Sequence, residues 1–292
     1  MALHLTLRDL EILQALHTAR YLTTPQIQAL FWRESKGGRW GLQKACGRRL
    51  RKLVAAGLIR RIELPVRRGD PSLPYVYTLD KKGTQTLIAE LGLEPKEVDW
   101  RRKDMEENYP FLQHLLLTND IHIAVQHACE RNQLELVEWI DERELKSEGM
   151  KDYVTLVLPG GRRQRAAVIP DAYFVVQSGG KTARFFAEID NRTVTVTPSS
   201  AEHRGWTRKI MAYVAYFDSK AYQDRYGGRP ARVLTVTTGR VRLDNLKQAT
   251  ERAGGGHRFY FTTFDQATVA GQILTEPIWE VAGAQSTATL LS

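Results

Sequence analysis

The 292 residues, 42% hydrophobic and 9% aromatic, contain enough apolar material for one large or two ordinary folded domains, which excludes a disordered chain. No apolar run approaches membrane length, and the start MALHLTLRDL has no apolar stretch behind a basic head, so neither an anchor nor a secretion signal is expected and the expected location is cytoplasmic. Basic residues outnumber acidic ones 42 to 33, a net +9, but residues 1–83 hold 16 basic against 6 acidic side chains and the remainder 26 against 27, so one end carries the excess expected of a module that meets a polyanion. Cys46 and Cys129 are too few for a structural zinc site and lie on helical faces, where reduced core residues are expected.

From Leu7, apolar residues at Leu10, Ile12, Leu13 and Leu16 recur at helical spacing behind Thr6, a suitable cap. After a break at residues 20–22, TTPQIQALFW reads as a second helix with Thr24 as N-cap, Pro25 at the first helical position, and Ile27, Leu30 and Phe31 on the buried face. The segment WGLQKACGRRLRKLVAAGLIRR gives a third, with Leu42, Cys46, Leu50 and Leu53 as its apolar stripe. Lys44, Arg48 and Lys52 fall at i, i+4 and i+8 on another face, with Arg39, Arg49 and Arg51 nearby. Two strands follow, joined by a turn carrying Arg67 and Arg68. Three short helices and a hairpin predict a winged helix-turn-helix over residues 1–83, with the third helix suited to a DNA major groove and the hairpin arginines to its backbone. A single arginine would read as solvated helix surface; a cluster on and beside one helix favours phosphate contact.

Residues 84–108 read as a linker or surface helix, and 109–280 as an α/β domain followed by a flexible tail at 281–292. The long helical pattern YPFLQHLLLTNDIHIAVQHACERN opens this domain; its Asn119, Asp120 and His122 suit a solvated side or a packing contact better than a ligand set. Strands are expected at LELVEWI, YVTLVL, AAVIPDAYFVV and ARFFAEI, then a helix to Phe217, a strand at RVLTVTT, a helix at RLDNLKQATERA and a last strand at HRFYFTTF. A sheet covered by helices follows from that order. A hairpin between residues 175 and 184 would bring Asp171 close to Glu188. Two carboxylates on rigid strands repel unless a cation neutralises them, and oxygen ligands of this type select Mg or Mn; solvated strand ends are the competing reading.

The whole chain resembles the replication-relaxation family of plasmid and mobile-element proteins. The resemblance covers residues 5 to 240 and is carried by LTLRDLEILQALHTARYLTTPQIQALFW, RRLRKLVAAGLIRR, YVYTL, an Asn-Asp pair, PDA and an E-x-D. The second half is similar, more distantly, to the restriction-endonuclease-like fold, which implies a mixed sheet, a first acid at Asp171 and a second at Glu188, with Asp190 standing where that fold has a lysine. An aspartate supplies no positive charge near a phosphate. The candidates to replace it are Lys209, reaching back from its helix, or Asp190 as a further metal ligand with Asp171 and Glu188. Nothing resembles a nicking relaxase, since His203 and His257 are isolated.

The expected partner is therefore double-stranded DNA, with replication or mobilisation proteins after it, no membrane, and a homodimer left open. The expected function is DNA binding in plasmid or mobile-element replication and DNA processing. The alternative is a Mg- or Mn-dependent endonuclease with Asp171, Glu188 and Lys209 as its catalytic residues.

Overall fold

The computed structural model describes residues 3–33, 38–65, 72–92, 109–191 and 205–291. They form two compact units, residues 1–123 and 124–292, so the division falls inside a helix. No helix among the described residues is long and apolar enough to cross a membrane.

In the first unit, α1 (Leu7–Ala19) begins where the Thr6 N–H and hydroxyl both donate to Asp9 at 2.6 Å, and it ends at Arg20, whose φ of 63° breaks the helix. Strand β1 (Leu22–Thr23) leads directly into α2 (Thr24–Phe31). The cap of α2 is Thr23, one residue before the Thr24 expected from the sequence, because Gln26 completes a capping box with it: Gln26 N–H donates to the Thr23 hydroxyl at 3.3 Å and the Thr23 N–H to Gln26 Oε1 at 2.8 Å. Helix α3 (Gly38–Ala55) buries the predicted stripe of Leu42, Cys46, Leu50 and Leu53. It gives way at Gly57 (φ 71°) to β2 (Ile59–Ile62), which pairs antiparallel with β3 (Val76–Leu79) in a sheet of order β1-β3-β2.

Helix α4 (Lys81–Leu91) starts at Asp80, which accepts from Lys81 N–H at 2.7 Å. Its Gly83 lies so close to the Leu58 carbonyl that a Cβ there would meet the oxygen at 2.0 Å, so only glycine allows this approach. Leu87 of α4 is fully buried in the core of this unit. Residues 81–91 are thus a helix packed on this unit, and residues 93–108 of the expected linker or surface helix lie outside the described residues. Helix α5 (Tyr109–Arg131) gives its residues up to Ile123 to this unit. The Asn119 amide donates to the Ala19 and Tyr21 carbonyls at 3.2 and 2.8 Å, closing the broken end of α1, and Gln26 donates to Asp120 at 2.7 Å. Asn119 and Asp120 of α5 are therefore packing contacts. Burial there pulls His122 down to about 4.

The second unit is mixed α/β. Its seven-stranded sheet has the order β12-β11-β10-β9-β8-β7-β4, from β4 (Glu135–Asp141), β7 (Ala172–Ser178), β8 (Lys181–Asp190), β9 (Ala231–Thr237), β10 (Phe259–Thr263), β11 (Trp279–Val281) and β12 (Thr287–Ala288). Strand β8 runs antiparallel to β7 and parallel to β9. Ser178 pairs with Lys181, leaving Gly179 (φ 52°) and Gly180 (φ 80°) as the two-residue turn that such a hairpin needs.

The expected strand AAVIPDAYFVV is divided. Its first half is β6 (Arg163–Val168), which pairs with β5 (Asp152–Val157) in a separate two-stranded ribbon, and the chain leaves that ribbon at Pro170, which has no N–H to extend a ladder. Short α6 (Glu142–Leu145) follows β4. Helices α7 (Trp206–Phe217), α8 (Lys220–Tyr226) and α9 (Arg240–Arg252) contribute to one core with Phe186 of β8, and α10 (Phe264–Ala267) follows β10. The core is aromatic: Phe186 lies against Tyr213, Tyr216, Phe217 and Tyr226. Residues 281–292, read from the sequence as a flexible tail, instead include the β12 edge strand and a buried Leu290.

Candidate functional site

Strand β8 is buried on both faces from Phe185 to Asp190, as befits the strand between β7 and β9. Alternation puts Glu188 and Asp190 on the face of Phe186, beneath α7 and α9. Ala172 pairs with Ala187, so Asp171 sits one step further along, beside Glu188. The Asp171 N–H donates to the Ala187 carbonyl at 3.0 Å, and its carboxylate accepts from Ile189 N–H at 2.7 Å. Asp171 is 7% exposed and Glu188 1%. The two acids that the sequence offered as a pair are together, and neither is a solvated strand end.

Lys209 of α7 completes the group. Its ammonium forms an ion pair with Glu188 Oε2 while its side chain stays 33% exposed. One helical turn further on, Tyr213 donates its hydroxyl to Glu188 Oε1 at 2.5 Å. Two side chains at i and i+4 thus grip the two oxygens of one buried carboxylate. Tyr213 was not anticipated; the only signal for it is the Lys-x-x-x-Tyr spacing, which carries no meaning until the helix is known to cover β8. Burial pushes Glu188 up to about 7, with Lys209 pulling it down and Asp171 pushing it further up. Burial alone would lower Lys209, but the charges of Glu188 and Asp171 outweigh it and hold the ammonium above its ordinary value.

Asp190 does not join them. Both its oxygens are taken up by Arg242 of α9, whose Nε and Nη2 donate at 2.8 and 2.7 Å, and by the hydroxyl of Thr237, its register partner on β9, at 2.7 Å. The expectation that it serves as a further metal ligand is corrected on that ground: its charge is already matched by a bidentate guanidinium. Among the described residues no group of three or more His, Cys, Asp and Glu side chains is placed to hold a metal. Asp171 and Glu188 supply oxygen donors of the kind a divalent ion takes, but both Glu188 oxygens are engaged by Lys209 and Tyr213, so an ion there would have to displace one of them.

In the first unit, Lys44, Arg48, Arg51 and Lys52 are exposed on α3, opposite its buried stripe. The Lys44 ammonium lies 3.3 Å above the ring centroid of Trp40, itself 69% exposed. Arg49 departs from the expected set: it turns inward to an ion pair with Asp9, which is fully buried, and donates to the His4 carbonyl at 3.0 Å. Burial would raise Asp9, but Arg49 and Thr6 hold it below the usual carboxylate range. A cleft of about 380 Å³ is lined by Arg8, Trp32, Arg48 and Lys52; Arg8, from α1, is a basic residue the sequence reading did not include. Arg39 lies in the first turn of α3, and Arg67 and Arg68 lie outside the described residues.

A family model described as replication-relaxation matches residues 13–231, more than half of the chain. No curated protein matches it in sequence. Among solved structures, the restriction endonuclease FokI is similar at a TM-score of 0.29 and 13% identity, covering 91% of this chain and 44% of that one. FokI bound to DNA is similar at 0.28 and 12%, with the same coverage, so the chain spans less than half the length of either.

Proposed function

The chain belongs to the replication-relaxation family, and from that premise we propose that it is a double-stranded DNA-binding protein acting in the replication and DNA processing of a plasmid or mobile element. Helices α1 to α3 with the β2–β3 hairpin would form a winged helix-turn-helix. The observation that carries this reading is α3, which buries Leu42, Cys46, Leu50 and Leu53 and exposes Lys44, Arg48, Arg51 and Lys52 on its other side. A protein-docking helix would be apolar at the centre of its exposed face. The test is the variant Lys44→Ala/Arg48→Ala/Lys52→Ala on duplex DNA over a salt series. Its slope of log affinity against log salt should fall by about 0.9 for each phosphate contact removed. An unchanged slope in the folded variant would sink the assignment.

A second reading, cleavage of the phosphodiester, is favoured by the juxtaposition of Asp171, Glu188 and Lys209. The order α5, β4, β7, β8, α7, β9, with the β5–β6 ribbon inserted, supports a restriction-endonuclease-like core. Lys209 would supply from α7 the positive charge that Asp190 cannot. Asp171 and Glu188 would hold Mg or Mn, which when bound polarises a phosphate and lowers the pKa of water. The ammonium of Lys209 would orient the attacking water or a phosphate oxygen, and Tyr213 would fix the Glu188 carboxylate. Supercoiled plasmid incubated with either metal should be nicked by the native chain and left intact by Glu188→Ala and Lys209→Ala of verified fold. Equal cutting by all three would remove this reading.

A further inference from the structure

The β5–β6 ribbon has two unlike faces. Val154, Leu156, Ala166 and Val168 are buried in the core of the second unit, while the outer face presents Tyr153, Thr155, Val157, Arg163 and Arg165. The register sets Arg165 opposite Thr155 and Arg163 opposite Val157. The Arg165 guanidinium lies 3.7 Å from the centroid of the Tyr153 ring, and Tyr153 and Val157 are 42% and 62% exposed.

Residues 151–169 carry Lys151, Arg162, Arg163 and Arg165 against one acid, Asp152. That acid is consumed internally by Arg225, which donates to its two oxygens at 2.5 and 2.8 Å. The outer face is therefore cationic, although residues 84–292 as a whole balance 26 basic against 27 acidic side chains. Surface arginines on a ribbon can simply discourage edge pairing, but such charges belong on strand edges and are commonly mixed with acids. Here they share one face with an exposed aromatic ring and an exposed valine.

The place of the ribbon is also specific. Strand β6 ends at Val168, three residues before Asp171, and Arg208, the neighbour of Lys209 on α7, donates to the Arg165 carbonyl at 3.3 Å. We infer that the outer face of the β5–β6 ribbon is a second contact for duplex DNA, laid along the groove with Arg163 and Arg165 on phosphates, so that the backbone is held beside Asp171, Glu188 and Lys209. A two-stranded ribbon fits a major groove as a helix does, and guanidinium forks match phosphate oxygens. This inference rests on the reading of the chain as a DNA-binding protein and adds a contact outside the basic residues 1–83.

The test measures the full chain on a labelled duplex of mixed sequence across a salt series, with three variants: Arg163→Gln/Arg165→Gln, Arg163→Lys/Arg165→Lys, and the α3 triple variant. The glutamine pair should lower the salt slope by about 0.9 for each arginine, and the lysine pair, which keeps the charges, should restore it. A native slope in the glutamine pair, with the α3 variant weakened, overturns the ribbon contact and leaves DNA binding standing. A loss that the lysine pair does not restore is structural and also overturns it. No binding of the duplex by the native chain removes both readings.

Discussion

Each unit contains a buried carboxylate paired with a basic side chain from a helix, and the two pairs are opposite in electrostatic character. Asp9 is fully buried, yet Arg49 and Thr6 hold it below its ordinary range, so its charge is matched. Glu188 is as deeply buried and has Lys209 and Tyr213 on its two oxygens, yet burial pushes it up to about 7, with the Asp171 charge adding to the rise. The first pair is a clamp that ties α1 to α3. The second is a carboxylate with a like charge beside it, two acids sharing the one ammonium of Lys209. Asp190 belongs with the clamps despite lying two residues from Glu188, since Arg242 and Thr237 satisfy it. Burial of an acid therefore says little until its partners are counted.

The largest effect that would sharpen this contrast is on stability. Arg49→Met leaves Asp9 buried without its cation and should cost the first unit about 3 kcal/mol, the low end for a broken buried pair because Arg49 is partly exposed. Hydrogen exchange of the α1 and α3 amides measures it. Lys209→Met should cost the second unit less near neutral pH, because Glu188, already titrating there, escapes by taking up a proton. Equal losses would erase the distinction between clamp and site.

The pH dependence separates them next. Asp9 is depressed in the folded state, so its contribution is present above its ordinary value of 3.8 and is lost as pH falls through the folded value. Glu188 is raised from 4.5 to about 7, so the folded state binds the proton more tightly. Its contribution is full below the ordinary value and is lost as pH rises through about 7. Relative to Glu188→Gln, which cannot titrate, the native second unit should lose stability on the order of 2 kcal/mol between about pH 5 and pH 8. Denaturation series of both proteins over that range decide it, and parallel curves would show that Glu188 is not raised.

What the sequence made legible follows from the range of the interactions involved. The α3 stripe and the Gly179–Gly180 hairpin are local, so periodicity and turn chemistry reach them, and the hairpin alone brings Asp171 beside Glu188. Strand alternation also puts Asp190 on the correct face, but its partner Arg242 comes from a helix beyond β9, and no local spacing announces it. Arg49 was grouped with the outward arginines because composition counts charges without giving their direction. Lys209 could be named as a candidate yet not distinguished from helix surface, because only the docking of α7 on β8 gives it Glu188. Nothing in the strands expected at YVTLVL and AAVIPDAYFVV announces the β5–β6 ribbon, since Pro170 marks a break in pairing without saying that the chain changes sheets there.

The smallest effect tests whether Tyr213 belongs to the site or only to the core. Tyr213→Phe keeps the ring and its packing on Phe186 and Phe217, and removes only the hydroxyl that donates to Glu188. The cost should be about 1 kcal/mol, as for one hydrogen bond. That hydroxyl also lowers the Glu188 pKa, so its loss should move the Glu188 titration above about 7 and carry the pH window of stability loss upward with it. A core role alone changes stability without moving the window. Carboxyl NMR of Glu188 in both proteins reads the midpoint directly, and an unmoved midpoint would leave Lys209 as the group that sets the charge of this carboxylate, with Tyr213 reduced to packing.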